Sequence, residues 1–263
     1  MSSTRTTFNS LTIFPGTARN GKKEEFDEIT IRPGDTVSIV GSTGSGKTAF
    51  INDIEVFAQG DTVTNRRIFI NGSKPADDLV RDPSKKPIAM ITQNTKCFAD
   101  MSVNEFLDMH IRSRKLDDTG LMEKTVRVAN EFTGEKITPD MQMTSLSGGQ
   151  TRSIFVADAV VISDTPIILL DEVENAGIFK DRVIQVLHEA KKAIIFVTHD
   201  PYVALLTETR IIMGNGAVLK ILTPGRSEEN ALAEVAGIDA KIMRLRERIR
   251  SGELISGIEE AAI

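Results

Sequence analysis

The stretch TVSIVGSTGSGKT, residues 36–48, decides how the rest of the chain is read. TVSIV is a compact apolar run of the kind that forms a strand buried on both faces of a parallel sheet. It stops at Gly41, and the pattern Gly, four residues, Gly-Lys-Thr then runs through Ser42, Thr43, Gly44 and Ser45 to Gly46, Lys47 and Thr48. Gly44 and Gly46 let the backbone turn so that consecutive N–H groups face inward, as a loop that wraps phosphate requires. Lys47 then reaches β- and γ-phosphate oxygens, and the Thr48 hydroxyl is placed to ligate Mg²⁺. Lys47 to about Ala58 reads as a helix, with Phe50, Ile51 and Ile54 on one side, whose positive N-terminal end adds to the phosphate site.

Outward from this stretch the chain reads as α/β. SLTIF, the turn-rich PGTARNGKKEEF and DEITIRPGD form a small antiparallel β hairpin region ahead of it, and NRRIFING is an edge strand closing on an Asn-Gly turn. Three more buried strands follow: PIAMITQ (87–93), PIILLDE (166–172) and AIIFVTHD (193–200), with helical stretches between them, which predicts a mostly parallel sheet. Ligands bind at the carboxyl ends of such strands, and those ends carry Gln93, Asp171 with Glu172, and His199. The segment from about 94 to 158 is a helical insert; Ser102 followed by Glu105 is a capping-box signature within it. His110 and His188 read as ordinary helix residues. RIIMGNGAVLKIL is a hairpin on an Asn-Gly turn, and residues 224–263 are a tail with an amphipathic helix over about 238–250, striped by Ile238, Ile242, Leu245 and Ile249.

The 263 residues carry a formal charge of −5, which counts against a surface for nucleic acid. A single cysteine, Cys97, allows no internal disulfide and suits a reducing, cytoplasmic compartment. The start has no basic flank followed by an apolar run, and no window approaches a membrane span, so any membrane association is expected through a partner.

A second glycine loop, LSGGQ at 146–150, sits about a hundred residues after the first. A phosphate loop, a strand ending in Gln93, LSGGQ, LLDE and THD in this order resemble an ATP-binding-cassette (ABC) ATPase over roughly residues 10–223. The resemblance implies a P-loop NTPase core with an inserted helical ABC subdomain, ATP and Mg²⁺ as ligands, and hydrolysis by direct in-line attack of water. It makes Gly41–Thr48 the nucleotide loop, and Asp171, Thr48 and Gln93 the Mg²⁺-side residues. Glu172 is the expected general base, Gln93 the residue linking the γ-phosphate to subdomain movement, and His199 the switch histidine. Ser147, Gly148, Gly149 and Gln150 form the signature loop, which closes over ATP held by a second cassette, a homodimer mate or a paralogue.

The pattern breaks in two places. No aromatic stands at the customary distance before the loop to stack on adenine; Phe14 is the nearest candidate, Phe26 reads as core, and Arg19 is a cationic substitute. After Glu172 the chain reads VENAGIF, where the family has a leucine-aspartate pair; Glu174 and Asn175 are candidate replacements for its contacts. The leading expectation is the ATP-binding subunit of an ABC transporter with separate permease subunits. The rivals are a soluble ABC ATPase that remodels a protein or metallocofactor complex, and a nucleic-acid-handling cassette.

Overall fold

The computed structural model describes residues 7–172 and 178–255. The first elements are β1 (Leu11–Phe14), β2 (Ile29–Ile31), β3 (Thr36–Val40), α1 (Lys47–Glu55) and β4 (Arg67–Ile70). Next come α2 (Asp77–Arg81), β5 (Ile88–Thr92), α3 (Val103–Ser113), α4 (Leu121–Glu131), α5 (Gly148–Val161) and β6 (Ile167–Asp171). The chain continues with α6 (Lys180–Glu189), β7 (Ala193–Val197), α7 (Pro201–Leu206), β8 (Thr209–Gly214), β9 (Ala217–Leu222) and α8 (Glu229–Arg250). Two sheets result: a three-stranded antiparallel one, ordered β2-β1-β4, and a six-stranded one, ordered β5-β6-β7-β3-β8-β9. All neighbours in the larger sheet run parallel except β9, which returns antiparallel beside β8.

Side chains alternate across a strand, and the central strands use both faces. On β6, Ile168 and Leu170 join one apolar cluster while Ile167 and Leu169 join another; on β7, Ile194 and Phe196 oppose Ala193, Ile195 and Val197. The first cluster gathers Val103, Leu107, Ala129, Phe132 and Ile154 of the helical insert. The second lies under α1 and the antiparallel sheet, with Phe50, Ile51, Ile54, Leu11 and Ile13, and Phe26 packs against it. The sheet is thus buried on both sides, as the unbroken apolar runs require.

Local details follow from the residues. Ser102 and Glu105 form the reciprocal cap of α3. Helix α1 ends at Glu55, short of Ala58, because Phe57 turns left-handed at φ 53° and swings itself and Ala58 into the core. The expected hairpin of β8 and β9 closes on Asn215 and Gly216, both at positive φ. The C-terminal helix starts at Glu229 rather than Ile238 and runs 22 residues straight through Gly237. It is anchored where Arg210 of β8 donates to Glu228 at 2.7 Å. No described helix is long and apolar enough to cross a membrane.

Candidate active site

Strand register builds the site. Thr92 pairs with Asp171, Asp171 with Val197, and Val197 with Ile39, so four parallel strands end at one level. The residues that emerge there are Gln93, Glu172, Thr198 followed by His199, and Val40 followed by Gly41. Four polar groups scattered over the sequence therefore reach one rim of the sheet, at the carboxyl ends where α/β proteins bind ligands.

The glycine loop admits little else. A Cβ on Gly41 would lie 2.5 Å from the Met213 carbonyl and 2.6 Å from Ser45 Oγ. Gly46 adopts φ 104°, and a Cβ there would lie 2.7 Å from Gly216 Cα. The β8–β9 turn thus supports the loop from behind, with Gly216 donating to the Ser45 carbonyl at 2.8 Å. Lys47 is buried, with Nζ donating to the carbonyls of Gly41 (2.7 Å) and Ser42 (3.3 Å). Ser42, Thr43 and Gly44 are exposed at the mouth, Thr48 is exposed in the first turn of α1, and Ser45 Oγ is buried without a hydrogen-bond partner. A tight amide-lined turn, a fixed ammonium, a free hydroxyl and the start of a helix fit a polyphosphate with its divalent cation.

Lys47 Nζ also lies 3.2 Å from His199 Nε2, and the same nitrogen is 3.5 Å from Glu172 Oε1. Lysine only donates, so Nε2 presents its lone pair to Lys47, while a protonated Nε2 would instead serve Glu172. Glu172 is held at φ 51°, an uncommon conformation for a non-glycine residue, with its N–H donating to the Val197 carbonyl at 2.9 Å. His199 thus meets both Lys47 and Glu172. Asp171 and Gln93 stand beside them at the strand ends; Asp171 is half-buried and Gln93 exposed. Glu174 and Asn175 fall outside the described residues.

LSGGQ starts α5. Ser147 is the N-cap, accepting from the Gln150 N–H at 3.2 Å, while the Gln150 side chain accepts from the Ser147 N–H at 2.9 Å. Gly148 is exposed, and Gly149 and Gln150 are buried. One turn on, Arg152 is only 8% exposed and donates to the carbonyls of Gln93 and Thr92. Among the described residues no carboxylate pairs with it, and burial pulls its pKa down. A signature-helix arginine thus holds the backbone of the Gln93 loop, a link the sequence reading missed. The signal was there: a lone arginine in the buried helix TRSIFVADAVV must find partners. His110, read as an ordinary helix residue, ties α3 to α5, with Nδ1 3.0 Å from Asp158 Oδ2.

A second missed residue supports the loop from below. Arg66 is fully buried: Nε and Nη2 bond both oxygens of Glu24 (2.9 and 2.6 Å), Nη1 bonds Asp53 of α1 (3.0 Å), and Nη2 also donates to the Gly216 carbonyl (3.2 Å). Glu24 in turn accepts from the N–H groups of Gly16 and Val218. Strand alternation carried the clue, because Arg66 shares a face with buried Ile68 and Ile70.

The two adenine-stacking candidates lie in different places. Phe14 packs edge-on against Phe69 at 4.9 Å and under Arg67 in the antiparallel sheet. Arg19 is exposed and lies against Gly216, with its N–H donating to the Asn215 carbonyl at 3.3 Å.

A glycine loop opening a helix at the centre of a parallel sheet, with an imidazole delivered to its lysine and a carboxylate to that imidazole, defines a P-loop ATPase. Comparison narrows the class. The profile of the ABC transporter family matches residues 27–175. The chain is 44% identical over 246 residues to an uncharacterized ABC transporter ATP-binding protein of Methanocaldococcus jannaschii, an alignment covering 94% of each. It is 30% identical over 202 residues to the thiamine import ATP-binding protein ThiQ of Brucella suis, covering 73% of this chain and 79% of ThiQ. The solved structure of cbiO1 from Clostridium perfringens, part of the ABC transporter complex cbiONQ, superposes with a TM-score of 0.65 at 18% identity. That superposition covers 93% of this chain and 100% of cbiO1, and shows a shared fold. The chain belongs to the ABC transporter family, as one of its ATP-binding, ATP-hydrolysing proteins.

Proposed function

We propose that the chain works as half of a head-to-tail pair, each glycine loop holding MgATP that the signature loop of the other cassette covers, and that it drives separate membrane permease subunits. The observation that carries the pairing is the separation of the two glycine motifs. Helix α5 is tied to the edge strand β5, whereas the nucleotide loop follows β3, three strands across. At about 4.8 Å per strand this is roughly 14 Å of lateral distance, too far for Ser147 and Gly148 to close on the phosphates beside Lys47. They are left for a neighbour's nucleotide, with Gly149 and Gln150 shaping the helix start, and a twofold pair then makes two equal sites.

Bound MgATP supplies the γ-phosphorus as electrophile and a metal that neutralises its oxygens. In this reading Thr48 and Asp171 hold the metal, and Gln93 reports its presence to the helical insert through Arg152. Lys47 and the loop amides of Ser42 to Gly46 bind the phosphate chain. Glu172 takes the proton of the attacking water, and His199 orients that water from the other side. In this reading Arg19, exposed beside the β8–β9 turn, is taken as the partner of the base rather than Phe14, whose ring packs on Phe69. Phe98, 86% exposed between β5 and α3, supports docking of an apolar permease segment on the helical insert. Such docking would bring the chain to the cytoplasmic face of a membrane.

Mixed dimers test the pairing. Ser147→Arg and Lys47→Ala should each abolish hydrolysis as homodimers. Combined in one dimer they leave one intact site, so mixing the two inactive proteins should restore turnover. A mixture as inactive as its parts would exclude shared sites.

A further inference from the structure

Helix α8 lies outside the matched family segment, and the hydrolysis reading gives it no task. It packs against α7, whose N-cap Asp200 follows His199 directly. Between them is a cavity of about 280 Å³, lined by His199, Tyr202, Ile238, Ile242 and Arg246 among others. One side chain ties the walls together. Lys180, at the start of α6, donates to Asp200 Oδ2 and lies 3.4 Å from both carboxylate oxygens of Asp239 on α8.

Asp200 is the residue that fixes the switch loop. Its Oδ1 caps α7 by accepting from the N–H groups of Tyr202 (2.8 Å) and Val203 (3.3 Å), and its own N–H donates to Thr198 Oγ1 at 2.9 Å. Both sides of His199 are therefore held by one residue, through its backbone N–H before the histidine and its carboxylate after it, and Lys180 decides where that carboxylate sits. Lys180, Asp200 and Asp239 are 15%, 16% and 23% exposed, enclosed enough for the charges to act on one another with little screening. Tyr202 completes the group, with its hydroxyl donating to Asp181 at 2.5 Å and its ring 6.0 Å from Lys180 Nζ.

We infer that Lys180 is a positioning residue for the switch histidine and that Asp239 of α8 sets its position, so that the C-terminal helix tunes hydrolysis through Asp239, Lys180 and Asp200. The inference rests on the hydrolytic role of His199 proposed above. It makes α8 a control element: a partner or ligand that lifts it would slow turnover without touching the nucleotide loop.

The test uses the full chain with Asp239→Asn, Lys180→Met, the double variant, and the conservative Asp239→Glu. Expected is a fall in kcat of about fivefold for Asp239→Asn, with KM for ATP within about twofold of wild type, as for a lost positioning contact of ordinary size. Lys180→Met should fall at least as far, the double variant no further than Lys180→Met alone, and Asp239→Glu should recover most of the rate. A second readout needs no hydrolysis. Tyr202 is the single tyrosine in a chain without tryptophan, so its fluorescence reports this junction alone. Acrylamide quenching should rise in Asp239→Asn and Lys180→Met and return in Asp239→Glu. Unchanged kcat in Asp239→Asn, additive losses in the double variant, or quenching indifferent to both substitutions would overturn the relay. A wild-type chain without turnover would defeat the hydrolytic reading instead, leaving the quenching result to decide whether α8 holds the switch loop.

Discussion

Lys47 and His199, 152 positions apart in the chain, meet with Nζ 3.2 Å from Nε2. The contact joins the lysine of the glycine loop to the histidine that follows β7, with Glu172 on the same ring nitrogen. In the reading proposed above, an incoming phosphate would share Lys47 with its backbone acceptors, and the imidazole would respond as the site fills.

Glu172 should be separable from binding. Glu172→Gln keeps the shape and removes the base, so phosphate release is expected to fall by at least about 100-fold. ATP binding by the monomer should persist, and a nucleotide-bound dimer should accumulate on size exclusion. Turnover close to wild type would rule Glu172 out as the base.

Arg66 should matter to stability before it matters to rate. Arg66→Met leaves Glu24 and Asp53 buried without their cation, which is expected to cost about 3–5 kcal/mol in urea unfolding. The Gly216 carbonyl loses its donor too, so nucleotide affinity of the folded fraction should weaken. A loss below about 1 kcal/mol would mean that the two carboxylates find other partners.

Tyr202 offers a clean titration. Burial pushes its phenol above the usual value of 10, the hydrogen bond to Asp181 adds to this, and the charges of Asp181, Asp239 and Asp200 act in the same direction. Absorbance at 295 nm should therefore show a midpoint above 10 in the native protein. The sign for stability follows: the folded state holds this proton more tightly than the unfolded chain. The contribution is complete below pH 10 and is lost as pH rises through the native midpoint. A native midpoint at or below 10 would contradict the enclosed setting of the ring.

Much of the site was written in consecutive residues. TVSIV followed by GSTGSGKT specifies strand, turn and helix in one stretch, and PIILLDE delivers Asp171 and Glu172 because an apolar run must end where the sheet meets solvent. Ser147 and Gln150 cap α5 within four positions of one another, and the Asn215-Gly216 turn is equally local. These features depend on backbone sterics and short-range hydrogen bonds, which adjacent residues determine alone.

Tertiary structure decided what distance in sequence conceals. Arg66 becomes a fully buried cation only because Glu24, Asp53 and Gly216 converge on it from three other segments. Arg152 finds its partners only because β5 brings the Thr92 and Gln93 carbonyls to it. Helix α8 declared its amphipathic stripe in the sequence, yet Gly237 hid its first turns. Its stripe also remains partly open, with Ile238 and Ile249 57% and 58% exposed. Beside His199 the helix is tied down by the pairing of Asp239 with Lys180. The sequence by itself determined the glycine loop, the polar residues at the strand ends and the capped start of α5, because periodicity and turn chemistry are short-range. Which charges are buried together, and which face of α8 reaches the segment around His199, depends on packing partners that no window of neighbouring residues contains.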